Sequence, residues 1–214
     1  MKTPYFMILA AASFLGTGAA FGQGFINLDF ERAQITNVVF GVIPATNAFP
    51  GWTVTAPYVF YNDASLSGGS ISLLDTNPPS SLPPIQGRNY AFLVSAGVPG
   101  YGSISLGQTG QIPLWARSIT FWVSLGQMQV TFNNQALSFN AIATTANYSV
   151  YGADLSAYAG QVGQLLFTMA PLTETSTLDN IQFSPSVVPE PSRLVLAALS
   201  TLLLCFRRWN KSEH

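Results

Sequence analysis

Apolar runs in this chain are short, and turn-forming residues interrupt them throughout. Between residues 24 and 183, Gly, Pro, Ser, Thr and Asn separate segments rich in Val, Ile, Phe and Tyr, and no amphipathic stretch is long enough to make a useful helix. The predicted strands are 24–30, 38–43, 52–55, 58–61, 70–74, 90–95 and 103–106, then 118–125, 129–132, 135–140, 146–151, 163–169 and 180–183. About a dozen strands at roughly ten-residue spacing imply an all-β fold with two packed sheets. Residues 118–125 show the period of two most clearly. Ile119, Phe121, Val123 and Leu125 point one way, and Ser118, Thr120, Trp122 and Ser124 the other. Asn133-Asn134 suits a two-residue hairpin turn, because Asn tolerates positive φ. Asp154 can cap one helical turn over 155–159, with Gly160 in the left-handed position after it. The stretch 77–84 carries four prolines and cannot be a central strand; it is expected to be an extended surface loop.

Both ends of the chain differ from this texture. Lys2, an apolar run over 5–15 and the small residues Ala20 and Gly22 read as a signal peptide, 1–22, cut between Gly22 and Gln23. At the other end, 194–206 is broken only by Ser200 and Thr201. Extended over about 191–209 it nears the length of a membrane span. Arg207 and Arg208 follow and are expected to stay cytoplasmic, with the preceding chain outside. The alternative for this run is a buried core helix. Pro189-Glu190-Pro191 stands just before it, stiff and extended. The order Val188-Pro189-Glu190-Pro191-Ser192, apolar run, Phe206-Arg207-Arg208 resembles the PEP-CTERM sorting signal of bacterial exported proteins. That resemblance implies processing by an exosortase, a membrane enzyme that cuts near the motif, so residues 186–214 are expected to be a sorting tail. The expected route is export, anchoring in the inner membrane with the domain outside, then release or attachment at the cell surface.

The exported part, 23–185, suits one domain. It holds seven acids (Asp29, Glu31, Asp63, Asp75, Asp154, Glu174, Asp179) against Arg32, Arg88 and Arg117, a net charge of −4. It contains no Lys, His or Cys. Without a basic cluster it has no nucleic-acid footprint. Without His or Cys it cannot build a Ser-His-Asp or Cys-His site, and a zinc site is implausible. Any catalysis falls to paired carboxylates, as in glycoside hydrolysis, and no acid pair sits in a recognisable motif. The expectation is a non-enzymatic protein.

Five pieces, in order, resemble galactose-binding-like, carbohydrate-module-like jelly rolls: Leu-Asp-Phe-Glu at 28–31, Pro-Gly-Trp at 50–52, 84–92, 151–161 and Leu-Asp-Asn-Ile-Gln-Phe at 178–183. The resemblance implies a jelly-roll β-sandwich whose first and last strands lie near each other. It also implies that Glu31 and Asp179, with Asp29 assisting, hold a structural calcium ion through hard oxygens. Solvated strand-end charges are the alternative. Trp122, on the polar face of its strand, and Trp115 are candidate platforms for a sugar ring on an extracellular polysaccharide. The alternative for Trp122 is a second buried face. Trp52 reads as a packing anchor, and Tyr90, Phe92 and Val94 as a core stripe.

Overall fold

The computed structural model describes residues 24–188, apart from 39, 67, 77–84, 96–102, 125, 127 and 170–174. The signal segment with Gly22 and Gln23, the motif residues Pro189, Glu190 and Pro191, the apolar run to 209, Arg207 and Arg208, and the 77–84 loop lie outside the described residues. Among the described residues no helix is long and apolar enough to cross a membrane.

The described chain is nearly all β. In order it forms β1 (Gly41–Val42), β2 (Thr53–Thr55), β3 (Tyr58–Tyr61), β4 (Ser70–Asp75), β5 (Asn89–Val94), β6 (Ile104–Gln111) and β7 (Ser118–Val123). Then come β8 (Gln129–Phe132), β9 (Gln135–Ala136), β10 (Phe139–Thr144), β11 (Ser149–Asp154), β12 (Val162–Met169) and β13 (Thr175–Ser184). The helical content is α1 (Ala45–Ala48) and a single 3-10 turn, Ser156–Tyr158. Eight strands make a large sheet in the order β1-β3-β4-β5-β13-β7-β11-β10, and five make a small one, β2-β6-β12-β8-β9. The two sheets form a β-sandwich.

Alternation puts the core between them. Ile119, Phe121 and Val123 of β7 are buried in it, while Thr120 and Trp122 on the other face are half-buried. Phe121 meets Phe167 of β12 edge to face across the sheets at 5.4 Å, and Trp52 meets the same ring at 6.2 Å. Trp52 also donates its indole N–H to the Asn27 carbonyl at 2.9 Å, which satisfies the polar end of a buried anchor. The large sheet carries a second cluster on its outer face: Leu74, Ile85, Tyr90, Phe92 and Val94, with Trp122 and Tyr148 packed against it. The Tyr90, Phe92, Val94 stripe is therefore buried outside the main core, and β4 and β5 are buried on both faces.

Several strand boundaries differ from the expectation. Residues 24–30 are not a strand. Gly24 makes one isolated bridge to Gln111, and positive φ at Asn27 and Phe30 turns the chain. The segment is tied down through side chains instead: Gln108 accepts from the Ile26 N–H at 2.6 Å and donates to the Ile26 carbonyl at 2.9 Å. It still lies beside the last strand, where the Ile181 N–H donates to the Leu28 carbonyl. The expected 38–43 strand shrinks to β1, and 103–106 lengthens to β6 because β12 pairs along its whole length. The expected 146–151 strand runs three residues later, as β11. The 135–140 run is split, with β9 in the small sheet and β10 in the large one. The Asn133-Asn134 turn is as expected, with φ of 48° and 62° between paired Phe132 and Gln135. The helical turn is a 3-10 turn, and the Asp154 carboxylate accepts from the Ser156 N–H at 2.7 Å. The last strand begins at Thr175 rather than 180, since polar Thr175, Ser176 and Thr177 hide its first half.

β13 joins the two halves of the large sheet. Thr175 to Leu178 pair with β5, and Asp179 to Ser184 pair with β7. The register shifts between Asp179 and Gln182, and Asn180 takes a φ of 46°. This is a β-bulge, which kinks a strand and re-aims its side chains. It sets the geometry of the candidate site.

Candidate functional site

The bulge turns the Asp179 carboxylate toward residues 85–89, in the turn before β5. Asp179 is fully buried. One of its oxygens accepts from the Gln86 N–H at 2.9 Å and the other from its neighbour Asn180 N–H at 2.6 Å. Glu31 reaches the same turn from the N-terminal segment. Its Oε1 accepts from the backbone N–H groups of Arg88 (2.6 Å) and Asn89 (2.9 Å), and its Oε2 from the Asn89 amide at 3.2 Å. Gly87 makes this possible, with a φ of +59° and no side chain, because a Cβ there would collide with the Glu31 carboxylate. Asp29 lies on the same N-terminal turn and accepts from the Glu31 N–H at 3.4 Å. Glu31 and Asp29 thus lie near enough to Asp179 for their charges to act on it. The three acids sit on a turn and a bulge rather than on the ends of two paired strands.

The charge balance at this place is uneven. Burial pushes the Asp179 carboxyl up to about 8, against the lowering effect of the Asn180 and Gln86 N–H groups, and the nearby Glu31 and Asp29 charges add to the rise. A polar groove of about 510 Å3 runs alongside, lined in part by Asp29, Glu31, Arg32, Asn180 and Gln182. A calcium ion takes six to eight oxygen ligands. Here each carboxylate oxygen of Glu31 and Asp179 already faces an N–H donor, so the positive ends of those dipoles point where a cation's charge would be. Among the described residues no three His, Cys, Asp or Glu side chains converge to hold a metal. The arrangement fits a pair of carboxyl clamps on the 85–89 turn, and it does not fit a calcium cage.

A second polar constellation was not singled out from the sequence. Asp75, at the end of β4, is buried. Its Oδ2 accepts from the Tyr61 hydroxyl at 2.5 Å and from the Arg88 guanidinium at 3.2 Å, and its Oδ1 accepts from the Asn62 amide at 2.9 Å. The Asn62 side-chain carbonyl accepts from the Asp75 N–H in return. Burial, then the hydrogen bond to Asp75, raises the Tyr61 phenol above its ordinary value. The signal was an acid closing an otherwise strand-like run, Ser-Ile-Ser-Leu-Leu-Asp, a place where a buried charge needs partners.

The tryptophan candidates are far from equivalent. Trp122 stacks on Tyr148 with ring centroids 4.5 Å apart and planes 7° off parallel, both half-buried on the outer face of the large sheet. Trp115 is 57% exposed on the turn between β6 and β7, next to Leu114 at 82%. Among the described residues no ring contact links the two.

No family model matches the chain, and no curated protein matches it. Solved structures with a similar course include a Stig cyclase, Fisc, from Fischerella sp. TAU in complex with an indole derivative. It is 16% identical, with a TM-score of 0.47, over 76% of this chain and 96% of that one. The enzymatically active domain of tailspike protein 4 of bacteriophage CBA120 is 13% identical, with a TM-score of 0.40, over 67% and 21%. A family 11 carbohydrate-binding module from Clostridium thermocellum, in complex with a mixed-linked tetrasaccharide, is 10% identical, with a TM-score of 0.34, over 71% and 99%.

Proposed function

We propose that this chain is an exported, non-enzymatic surface or matrix protein, processed at Pro189, Glu190 and Pro191 by an exosortase-like membrane enzyme. The observation that carries the reading is how directly that motif follows the sandwich. β13 ends at Ser184, and the Ser118 hydroxyl donates to the Ser186 carbonyl at 2.8 Å. Val188 packs so closely over Gly152 that a Cβ there would come within 2.8 Å of its Cγ2. The chain is thus held against β11 up to the residue before Pro189. In the sequence two prolines follow, a pattern that favours an extended stretch which a processing enzyme can reach. The apolar run and Arg207 and Arg208 hold the sandwich outside the membrane until the tail is cut. A signal segment removed between Gly22 and Gln23 begins the export. Intact mass of the protein recovered from the surface and medium of the producing cell tests this. A product ending between 188 and 191 is expected. A product that retains His214 in both fractions overturns the processing.

A second reading is a carbohydrate-binding module, and the stacked Trp122 and Tyr148 pair favours it. An indole held rigid by a neighbouring ring costs little entropy to dock on a sugar face. On this reading Trp122→Ala weakens binding to the producing organism's extracellular polysaccharide at least tenfold, with an unchanged circular-dichroism spectrum. Wild-type protein that binds none of that polysaccharide ends the reading, and the sandwich is then a structural element of the surface.

A further inference from the structure

An aromatic-lined opening beside the outer strands of the large sheet is used by neither reading above. A cleft of about 240 Å3 lies between the β7, β11, β10 wing of the large sheet and the connection into β8. Its lining is Phe121, Val123, Gly126, Met128, Phe139 and Tyr151. None of the six carries a charge, and the Tyr151 phenol is the single polar side-chain group among them. The three rings form one wall: Phe121 and Tyr151 are stacked at 5.9 Å, and Phe139 stands edge-on to both, at 5.3 and 5.5 Å. Phe139 and Tyr151 remain half-buried, so apolar ring surface faces the opening.

From this geometry we infer that the cleft binds a small, uncharged, planar aromatic molecule. An apolar cavity near 150 Å3 stays dry and takes benzene. A cleft of 240 Å3 has room for about two fused rings. Burial of the ligand and of the exposed parts of Phe139 and Tyr151 supplies the driving force. Among the described lining residues a charged ligand finds no opposite charge to offset its lost hydration. The inference is independent of how the tail is processed and of any sugar binding at Trp122.

The test uses the full chain labelled at its methionine methyl carbons and titrated with 2-naphthol. Met128 lines the cleft, and Met169 is fully buried in the main core and serves as the internal control. A saturable shift of the Met128 methyl, half complete at or below about 1 mM, with Met169 unmoved, is the expected result. Phe139→Ala removes one wall at an edge strand, and it should weaken the half-saturation at least fivefold while Met169 keeps its folded shift. Val123→Phe fills the cleft and should abolish the Met128 response. The anion 2-naphthoate should bind at least tenfold more weakly. An unmoved Met128 methyl, a non-saturating shift shared with Met169, equal binding by Phe139→Ala, or equal binding of the anion would each overturn the inference. Loss of binding in Trp122→Ala with Phe139→Ala unaffected would assign the probe to the outer-face cluster, and would overturn it too.

Discussion

Asp179→Asn is expected to be more stable than the wild type at pH 8 and less stable at pH 4. The Asp179 carboxyl titrates near 8 in the folded protein, mainly because it is buried, and near 3.9 in an unfolded chain. Between those values the folded state keeps a proton that the unfolded state has released. Stability contributed by this group is therefore complete below about pH 4 and falls as pH rises through about 8. At about 1.4 kcal/mol per pH unit, the loss across that window is on the order of 5 kcal/mol. Asparagine is neutral throughout and escapes that loss. It has one acceptor oxygen for two donors, the Gln86 and Asn180 N–H groups, so at pH 4 the variant loses about 1–2 kcal/mol. Urea midpoints of both proteins from pH 4 to 9 check this. The difference curve should cross zero inside the window, and a flat one would mean that Asp179 is ionised in the fold. Calcium at millimolar concentration should leave the pH 8 midpoint of the wild type unmoved. A rise abolished by Asp179→Asn would mean that a cation does enter beside Asp29 and Glu31.

Asp75→Ala should cost about 2–4 kcal/mol of stability, because it leaves two buried neutral donors without their acceptor while the Arg88 guanidinium, 59% exposed, returns to water. The network also has a topological role. β3 and β4 run parallel, with Tyr58 opposite Ser70 and Tyr61 opposite Leu73, yet only residues 62–69 connect them. Parallel neighbours ordinarily need a crossover of a dozen residues or more. Here the return is braced by hydrogen bonds to β4: the Asn62 N–H to the Leu73 carbonyl, the Asp63 N–H to the Ser72 hydroxyl at 3.2 Å, and the reciprocal pair between Asn62 and Asp75. Positive φ at Asn62, 53°, starts the reversal. Removing the Asp75 carboxylate leaves the Tyr61 hydroxyl and the Asn62 amide buried without that acceptor. Tyr61→Phe should cost less, about 1–2 kcal/mol, since Asp75 keeps Asn62 and Arg88. The double variant should fall short of the sum of the two, because the residues share one network. Urea unfolding of the four proteins gives the cycle. A midpoint for Asp75→Ala within experimental error of the wild type would show that the connection stands without it.

Much of this protein was determined by the sequence alone, wherever the signal was local. Alternation at 118–123, the Asn133-Asn134 turn, the absence of helical periodicity and the indole at Trp52 each act over a few residues. Each appears in the structure as a strand of the core, a hairpin, an all-β sandwich and a packing anchor. The grouping of Asp29, Glu31 and Asp179 was an expectation from the jelly-roll resemblance, not from any local pattern. Tertiary structure decided what these acids do. Their roles depend on a bulge at Asn180 and on a turn at Gly87 more than fifty residues from Glu31, and no local pattern encodes such an encounter. The same holds for the first segment, which reads as a strand yet is bent and tied down by Gln108, and for β9 and β10, one run in sequence but shared between two sheets. The face of Trp122 was visible in the alternation. That the outer face carries its own apolar cluster, with Tyr148 beneath the indole, was not, since it takes β4, β5 and β7, joined through β13, to build it. Hydrophobic period fixes which residues leave water, and the pairing of distant strands fixes which of them meet.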